Sequence, residues 1–358
     1  MKEGKAHTES GSTVVDSIRF DRQTRFAPLG VAGQARLGKA RVLLVGCGAT
    51  GGVLAQTLVR AGVGTLVLAD RDIVEHSNLP RQVLFEDAHA EAGAPKATAA
   101  AEALARIGGP TQIDARITHV DAGNVSALAE GADLILDGTD NLPTRYLLND
   151  LCVSTSRPWI YAGVVGAAGL VLPVLPALGP CLRCVFPEPP PPGVLPTCDS
   201  AGVILPAVGA VSSLAAGLAL RILAAESPES WPQPKLIEID VWNGVTRSLS
   251  ADRDSACPAC AKGEFPYLEA GETRTAAILC GRDTVQLPPL TDRGQQLDLA
   301  QLASRLRGQV DDLLQNPVFL RARQGSYTLT VFRDGRTLVE GTDDPNRAQS
   351  IFDGLIGR

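Results

Sequence analysis

The chain has 358 residues, more than one hydrophobic core serves comfortably, so two domains are expected. Apolar residues make up 45% and charged residues 20%, an ordinary globular mix. The formal net charge of -6 and the lack of any strongly basic region exclude nucleic acid as a partner on electrostatic grounds.

Residues 1–16 are polar and are expected to be a disordered tail, with no apolar core that would make a leader. Residues 17–37 have the pattern of an amphipathic helical arm. The apolar run 41–45 ends at a glycine loop, as a buried parallel strand does. A helix is predicted over 53–61, a strand over 64–69, an alanine-rich helix over 95–107 and a buried strand over 132–136. Further strands are predicted over 158–161 and 169–175. Apolar runs such as 164–178 are interrupted by Gly and Pro, so no membrane span is expected. Residues 187–196 are proline-rich and can join neither a helix nor a central strand. A small-residue helix over 204–224 and a strand over 235–240 follow. From about 266 the composition changes. Strands over 285–287, 327–331 and 337–340, helices over 299–306 and 345–356, and a tight turn at Arg333-Asp334-Gly335-Arg336 describe a small α+β domain. The expected organisation is therefore a tail (1–16), an α/β domain (17–265) with a mostly parallel, Rossmann-like sheet covered by helices on both faces, and a small α+β domain (266–358).

The loop Gly46-Cys47-Gly48-Ala49-Thr50-Gly51 follows a strand and opens a helix, an arrangement that sets backbone N–H groups and a helix N-terminus against phosphate. Asp70 ends the next predicted strand, where a carboxylate can bond a ribose hydroxyl. These features alone describe a nicotinamide-dependent oxidoreductase as well as any other nucleotide enzyme. Arg22, Arg81, Lys96 and Asp140 change the balance. Several cations and one carboxylate around a nucleotide are what nucleotidyl transfer requires, because the protein mainly positions ATP and neutralises charge as pyrophosphate leaves. Hydride transfer has no use for such a set.

Of eight cysteines, four stand in two CxxC pairs, Cys181/Cys184 and Cys257/Cys260. Two such turns supply the four soft ligands of a structural zinc site, with no open coordination position. This usage also fits a reducing cytoplasm better than a disulfide framework. Cys47, Cys152 and Cys280 are expected to be packing residues. The four histidines, His7, His76, His89 and His119, form no cluster in the sequence and offer no partner to a nucleophile.

Taken in order, Arg-Phe-Asp-Arg-Gln (19–23), the glycine loop, Ser-Asn-Leu-Pro-Arg-Gln (77–82), Pro95-Lys96, Thr139-Asp140-Asn141 and the two CxxC pairs resemble the ThiF/MoeB/HesA adenylyltransferases, relatives of the ubiquitin-activating enzymes. The resemblance runs from about residue 18 to 260. It implies ATP-dependent adenylation of the C-terminal glycine of a small ubiquitin-like sulfur carrier ending in Gly-Gly. By the same resemblance Gly46, Gly48 and Gly51 shape the nucleotide loop and Asp70 holds the ribose, with Asp72 beside it. Asn78, Arg81, Gln82 and Lys96 surround the phosphates, and Asp140 holds Mg²⁺, a hard cation suited to phosphate oxygens. Arg22 would reach the phosphates of a neighbouring protomer, which implies a homodimer. Cys198, after the proline-rich stretch, corresponds to a cysteine that links covalently to the carrier in some relatives and is dispensable in others. One departure is Ala49, where relatives often have glycine. The tail lacks the thiolate loop of a rhodanese domain, and a module that binds the carrier or extends a dimer surface is expected instead.

Overall fold

The structure, a computed structural model, describes residues 18–176, 178–190, 198–269, 277–278, 283–288 and 296–357, without the side chains of 198, 199, 277 and 278. It divides into two compact units. The first holds 18–190 and 201–269. The second holds the described residues from 277 onward, with which 198–200 group.

In chain order the first unit runs α1 (Gly30–Leu37), β1 (Arg41–Val45), α2 (Ala49–Ala61), β2 (Thr65–Asp70), α3 (Lys96–Ile107), β3 (Gln112–Ile117), β4 (Leu134–Asp137), α4 (Leu142–Ser154), β5 (Trp159–Val165), β6 (Ala168–Val174), α5 (Leu205–Ala224), β7 (Leu236–Asp240) and β8 (Val245–Leu249). The strands form one sheet in the order β3-β2-β1-β4-β5-β6-β7-β8. The first five are parallel, with Val42 opposite both Leu66 and Leu134, and β5 to β8 continue as an antiparallel meander. The chain leaves β1 toward β2 and β3, then returns to place β4 on the other side of β1. That reversal makes the carboxyl ends of β1 and β4 the crevice where an open α/β sheet binds its ligand.

Strand alternation divides the core into two layers. Val42 and Leu44 of β1, Leu66 and Leu68 of β2, and Leu134 and Leu136 of β4 face α2, α3 and α5. Leu43, Val45, Val67 and Ile135 face α4 and the cysteine-bearing turns. Fully burying one such leucine is worth about 1.5–3 kcal/mol. α5 packs along α2 through Val211, Ala215 and Ala219, and Ser212 Oγ donates to Thr50 O at 3.3 Å. Twenty residues of α5 are long and apolar enough to cross a membrane, but 56% of its most apolar window is buried inside the unit, as in a core helix.

The expected arm over 17–37 is broken. A short helix at Asp21–Thr24 and α1 are separated by a turn around Pro28, which lacks a donor, and α1 opens at Gly30 with φ 59. The helix expected from residue 53 begins at Ala49, because the second half of the glycine loop is its first turn. β3, α4 and β8 lie in stretches for which no element is predicted. Of the proline-rich stretch, residues 187–190 belong to neither helix nor strand, and the remainder lies outside the described residues.

The second unit has β9 (Ala277–Ile278), β10 (Thr284–Leu287), α6 (Leu299–Leu306), β11 (Asp312–Gln315), β12 (Phe319–Gln324), β13 (Tyr327–Phe332), β14 (Thr337–Glu340) and α7 (Pro345–Leu355). Its sheet order is β11-β12-β13-β14-β10-β9, antiparallel throughout. Leu302 and Leu306 of α6 and Phe352 of α7 pack on Val285, Leu320, Leu329 and Val339. The turn at 333–336 joins β13 to β14 as expected, with Phe332 N donating to Arg336 O at 2.8 Å. β9, β11 and β12 come in addition to the predicted strands. Cys280 lies outside the described residues.

Candidate active site

Three glycines interlock at the crevice. Gly46 leaves β1 at φ 89, a left-handed conformation. A Cβ on it would stand 2.7 Å from Gly138 O, one on Gly138 would stand 2.4 Å from Gly46 O, and one on Gly51 would stand 1.9 Å from Gly46 O. The β1 loop, the first turn of α2 and the turn after β4 therefore meet backbone to backbone. Gly138 is the member that sequence reasoning missed. Ala49 begins α2 without a positive φ, so the departure from glycine there costs nothing. The first N–H groups of α2 have no intrahelical partner and no capping side chain among the described residues, which leaves them available to an anion.

Asp70 ends β2 beneath this loop. Its Oδ2 accepts from Cys47 N at 2.6 Å and its Oδ1 from Asp72 N at 2.7 Å. Burial, and then Asp72, raise its pKa, opposed by Lys96 and the two N–H donors. Each oxygen keeps a lone pair for a further donor such as a ribose hydroxyl. Lys96 opens α3 with its ammonium group buried and 3.3 Å from Asp72 Oδ2. Arg71 stands 3.6 Å from Asp72 and 3.1 Å from His119 Nδ1. The Cys47 thiol is pushed well up by burial and is a packing group, as is buried Cys152.

The stretch 75–82 contains a 3₁₀ turn, His76–Asn78, closed by a capping box in which Asn78 Oδ1 accepts from Glu75 N at 3.1 Å. Asn78 is buried, and Arg81 and Gln82 both donate their backbone N–H to its carbonyl. Half-exposed Arg81 donates to Ser77 O at 2.7 Å. Gln82 lies against Gly48, whose Cβ would be 3.5 Å from Gln82 Nε2, and its buried Oε1 has no hydrogen-bond partner among the described residues. A buried acceptor left open beside the loop is a place for a ligand or water donor.

Asp140 stands in the turn after β4, exposed and without a side-chain hydrogen bond among the described residues. A hard, exposed carboxylate at the switch point suits Mg²⁺. The structure thus joins Gly46, Gly48, Gly51, Asp70, Asp72, Asn78, Gln82 and Lys96 by direct contacts, with Arg81 and Asp140 on the same loops. It does not bring Arg22 to them. Gln23, next to Arg22, donates to Ala61 O at 2.9 Å, at the far end of α2. The loop is at the near end of that 13-residue helix, about 20 Å away at 1.5 Å per residue. The Arg22 side chain is 88% exposed. Cys198 opens a short helix, Cys198–Ala201, and its side chain lies outside the described residues.

The four CxxC cysteines converge as expected. Their Sγ atoms all lie within 4.8 Å of one another. Cys181–Cys184 is 3.8 Å, Cys181–Cys257 3.6 Å and Cys184–Cys260 3.3 Å. A zinc tetrahedron with bonds of ~2.3 Å has edges of about 3.8 Å, so four thiolates here fit the ion. The knuckle docks on α4. Leu182 N donates to Asn149 Oδ1 at 2.8 Å, Arg183 Nη1 stands 3.6 Å from Asp150 Oδ1, and Tyr267 N donates to Asp150 Oδ2 at 3.1 Å.

The ThiF family pattern matches residues 20–259. The chain is 38% identical over 341 residues to the sulfur carrier protein ThiS adenylyltransferase of Bacillus subtilis (strain 168), covering 95% of this chain and 99% of that one. It is 34% identical over 258 residues to the SAMP-activating enzyme E1 of Haloferax volcanii, covering 71% and 94% respectively. The crystal structure of Escherichia coli MccB with MccA-N7isoASN superposes with a TM-score of 0.59 at 22% identity, over 68% of this chain and 74% of that one, a likeness of fold. The oxidoreductase alternative finds no support among these relatives. A family pattern over most of the first unit, together with similarity over 95% of the chain, places this protein in the ThiF family.

Proposed function

We propose that this chain catalyses ATP-dependent adenylation of the C-terminal glycine of a small ubiquitin-like sulfur carrier ending in Gly-Gly. The observation that carries the proposal is the contact chain at the switch point: glycine loop, Asp70, Asp72 and Lys96 on one side, the Asp140 turn on the other. The relatives named as sulfur-carrier and SAMP activators support the substrate class.

In this reading a carboxylate oxygen of the carrier attacks the α-phosphorus of ATP. The bond from that phosphorus to the bridging oxygen breaks, pyrophosphate leaves, and an acyl-adenylate remains. The N–H groups at the start of α2 and the Lys96 ammonium hold phosphate oxygens. Asp70 orients the ribose, while Asn78, Arg81 and Gln82 line the outgoing pyrophosphate. Asp140 would hold Mg²⁺, which when bound neutralises charge on the phosphates. Such donors stabilise the transition state because they are fixed before charge develops. The knuckle cysteines would hold zinc in a structural role, in keeping with a cytoplasmic location. Cys198 is the candidate for attacking the acyl-adenylate afterwards, its thiolate forming a thioester to the carrier's glycine as AMP leaves.

Arg22 would serve a second copy of the chain. Exposure of Arg22, Phe26 (64%) and Val31 (76%) around α1 supports a homodimer that covers this face. The test of the whole reading is ATP–pyrophosphate exchange with and without a Gly-Gly-terminated carrier of the ThiS type. Carrier-dependent exchange, lost in Asp140→Ala, is expected. Exchange that ignores the carrier, or none with any carrier, would overturn it.

A further inference from the structure

We propose that Arg145 is a positioning residue for Asp140, clamping the turn that presents this carboxylate to Mg²⁺; the inference rests on the adenylation reading above. Arg145 lies in the second turn of α4, its side chain 10% exposed, opposite Asp137, which is fully buried. Its Nε donates to Asp137 Oδ2 at 2.8 Å. Its Nη2 donates to Thr139 O at 2.6 Å and to Ala162 O at 3.2 Å, and the guanidinium lies 5.1 Å from the centre of the Tyr161 ring. Asp137 turns back on the same segment, with Oδ1 accepting from Thr139 N at 2.8 Å and from Thr139 Oγ1 at 2.7 Å. Beyond Asp140, Asn141 Oδ1 caps α4 by accepting from Thr144 N at 3.0 Å.

Asp140 is therefore the one unclamped residue between two clamped neighbours. No side-chain hydrogen bond holds its own carboxylate among the described residues, so its position is set by Thr139 and Asn141. Four interactions in three directions from one planar cation are a task for arginine. A lysine can neutralise Asp137 but cannot also reach both carbonyls and lie over the ring. Small displacements of a metal-holding or positioning group cost catalysis out of proportion to their size. Asp137 and Arg145 themselves are too buried and too fully engaged to touch substrate, so their influence on the reaction runs through the turn and through the charge of Arg145, which Asp140 feels.

The test uses the full chain with Arg145→Lys, Asp140→Asn and the double substitution. Two readouts apply: Mn²⁺ affinity by electron paramagnetic resonance in the presence of a non-hydrolysable ATP analogue, and carrier-dependent pyrophosphate exchange as a function of Mg²⁺. Arg145→Lys should weaken Mn²⁺ binding and raise the Mg²⁺ needed for half-maximal exchange by about tenfold. It should lower kcat while leaving KM for the carrier unchanged, and add nothing once Asp140 is Asn. If Arg145→Lys unfolds the protein, Thr139→Val removes only the hydroxyl end of the clamp and should give a smaller shift that also vanishes in the Asp140→Asn background. Metal affinity equal to wild type in the clamp variants, or effects that add to Asp140→Asn, would overturn the proposal. Wild-type protein that binds Mn²⁺ with nucleotide but shows no exchange would sink the adenylation reading alone. Wild-type protein that binds no Mn²⁺ with nucleotide would sink the positioning role.

Discussion

Replacing Gly51 with alanine sets two physical effects against each other. Gly51 is the third residue of α2, where alanine is intrinsically favoured over glycine by about 1 kcal/mol. The space says the reverse. An added Cβ would lie 1.9 Å from Gly46 O and 2.8 Å from Gly46 C, both backbone atoms of the loop that Gly138 holds from the other side. Overpacking against movable side chains costs about 1–3 kcal/mol, and a fixed backbone should push the cost to the upper end or beyond. Taking ~3 kcal/mol net, and about 2–4 °C per kcal/mol for a unit of this size, the melting temperature should fall by roughly 6–12 °C. Gly52 is the control. A Cβ there would meet Leu84 side-chain carbons at 3.5 and 3.7 Å, ordinary contact, so Gly52→Ala should be neutral or gain up to about 1 kcal/mol from helix propensity. Differential scanning calorimetry of both variants, with and without ATP, is the assay. Gly51→Ala should also lose the stabilisation by ATP, since the loop that receives phosphate has been forced open. Equal melting temperatures for the two variants would refute the interlocked-glycine argument.

Cys257→Ser should abolish stoichiometric zinc, measured by atomic emission, and lower the melting temperature by several degrees, because metal binding free energy is folding free energy; a full zinc complement in that variant would contradict the four-thiolate assignment. Burial pushes Asp150 up to about 6 against the partial pull of Arg183 and the Tyr267 N–H. A carboxyl whose folded pKa exceeds its unfolded value contributes stability below the unfolded value and loses it as pH rises through the folded one. Wild type should therefore lose stability relative to Asp150→Asn between about pH 4 and pH 6.5; a difference that stays flat with pH, or grows in favour of wild type, argues against it. Mixing Arg22→Ala with Asp140→Ala protein, each inactive alone, should restore roughly a quarter of wild-type exchange if Arg22 acts on the neighbouring copy, since half of randomly re-paired dimers then hold one complete site. No recovery after verified subunit exchange would place Arg22 outside the site.

Much of the frame is legible in the sequence because it rests on short-range signals. Buried parallel strands are unbroken apolar runs, and β1, β2 and β4 contain Val-Leu-Leu-Val (42–45), Leu-Val-Leu-Ala (66–69) and Leu-Ile-Leu (134–136). The glycine loop announces itself by spacing, and the four cysteines by CxxC. The omissions have physical causes. β3 is an edge strand, Gln-Ile-Asp-Ala-Arg-Ile, with no buried residue and Asp114 paired with Arg116 at 2.7 Å, so it lacks the unbroken apolar run that marks the inner strands. α4 is buried on nearly all sides from Thr144 to Cys152 and shows no amphipathic period, although Asn141 at its cap and Pro143 in its first turn were usable start signals. The site's supporting layer was illegible for another reason. Gly138 matters because of where Gly46 lies, and Arg145 because of Asp137, Thr139 and Ala162, contacts that only the packed sheet brings together. Arg22 shows the same limit in reverse: it stands in a recognisable motif, and only α2 reveals that it is a helix length from its own loop.

These contacts also give the zinc knuckle a place in the chemistry without a ligand role in it. α4 begins two residues after Asp140, with Asn141 as its cap and Arg145 holding the turn. Farther along, the knuckle grips the same helix. Tyr146 Oη donates to Phe186 O at 2.9 Å, Asn149 receives Leu182 N, and Asp150 faces Arg183 and Tyr267 N. Asn149 and Asp150 are fully buried polar groups, which fold at a cost unless their partners stay in place. Leu182 and Arg183 stand between Cys181 and Cys184, in a turn that the four cysteines close, and Tyr267 follows the second pair. A helix anchored by buried hydrogen bonds at one end and clamped by a buried ion pair at the other has little freedom to shift along its axis. That stiffness is what a carboxylate such as Asp140, held by no hydrogen bond of its own among the described residues, requires from the fold behind it.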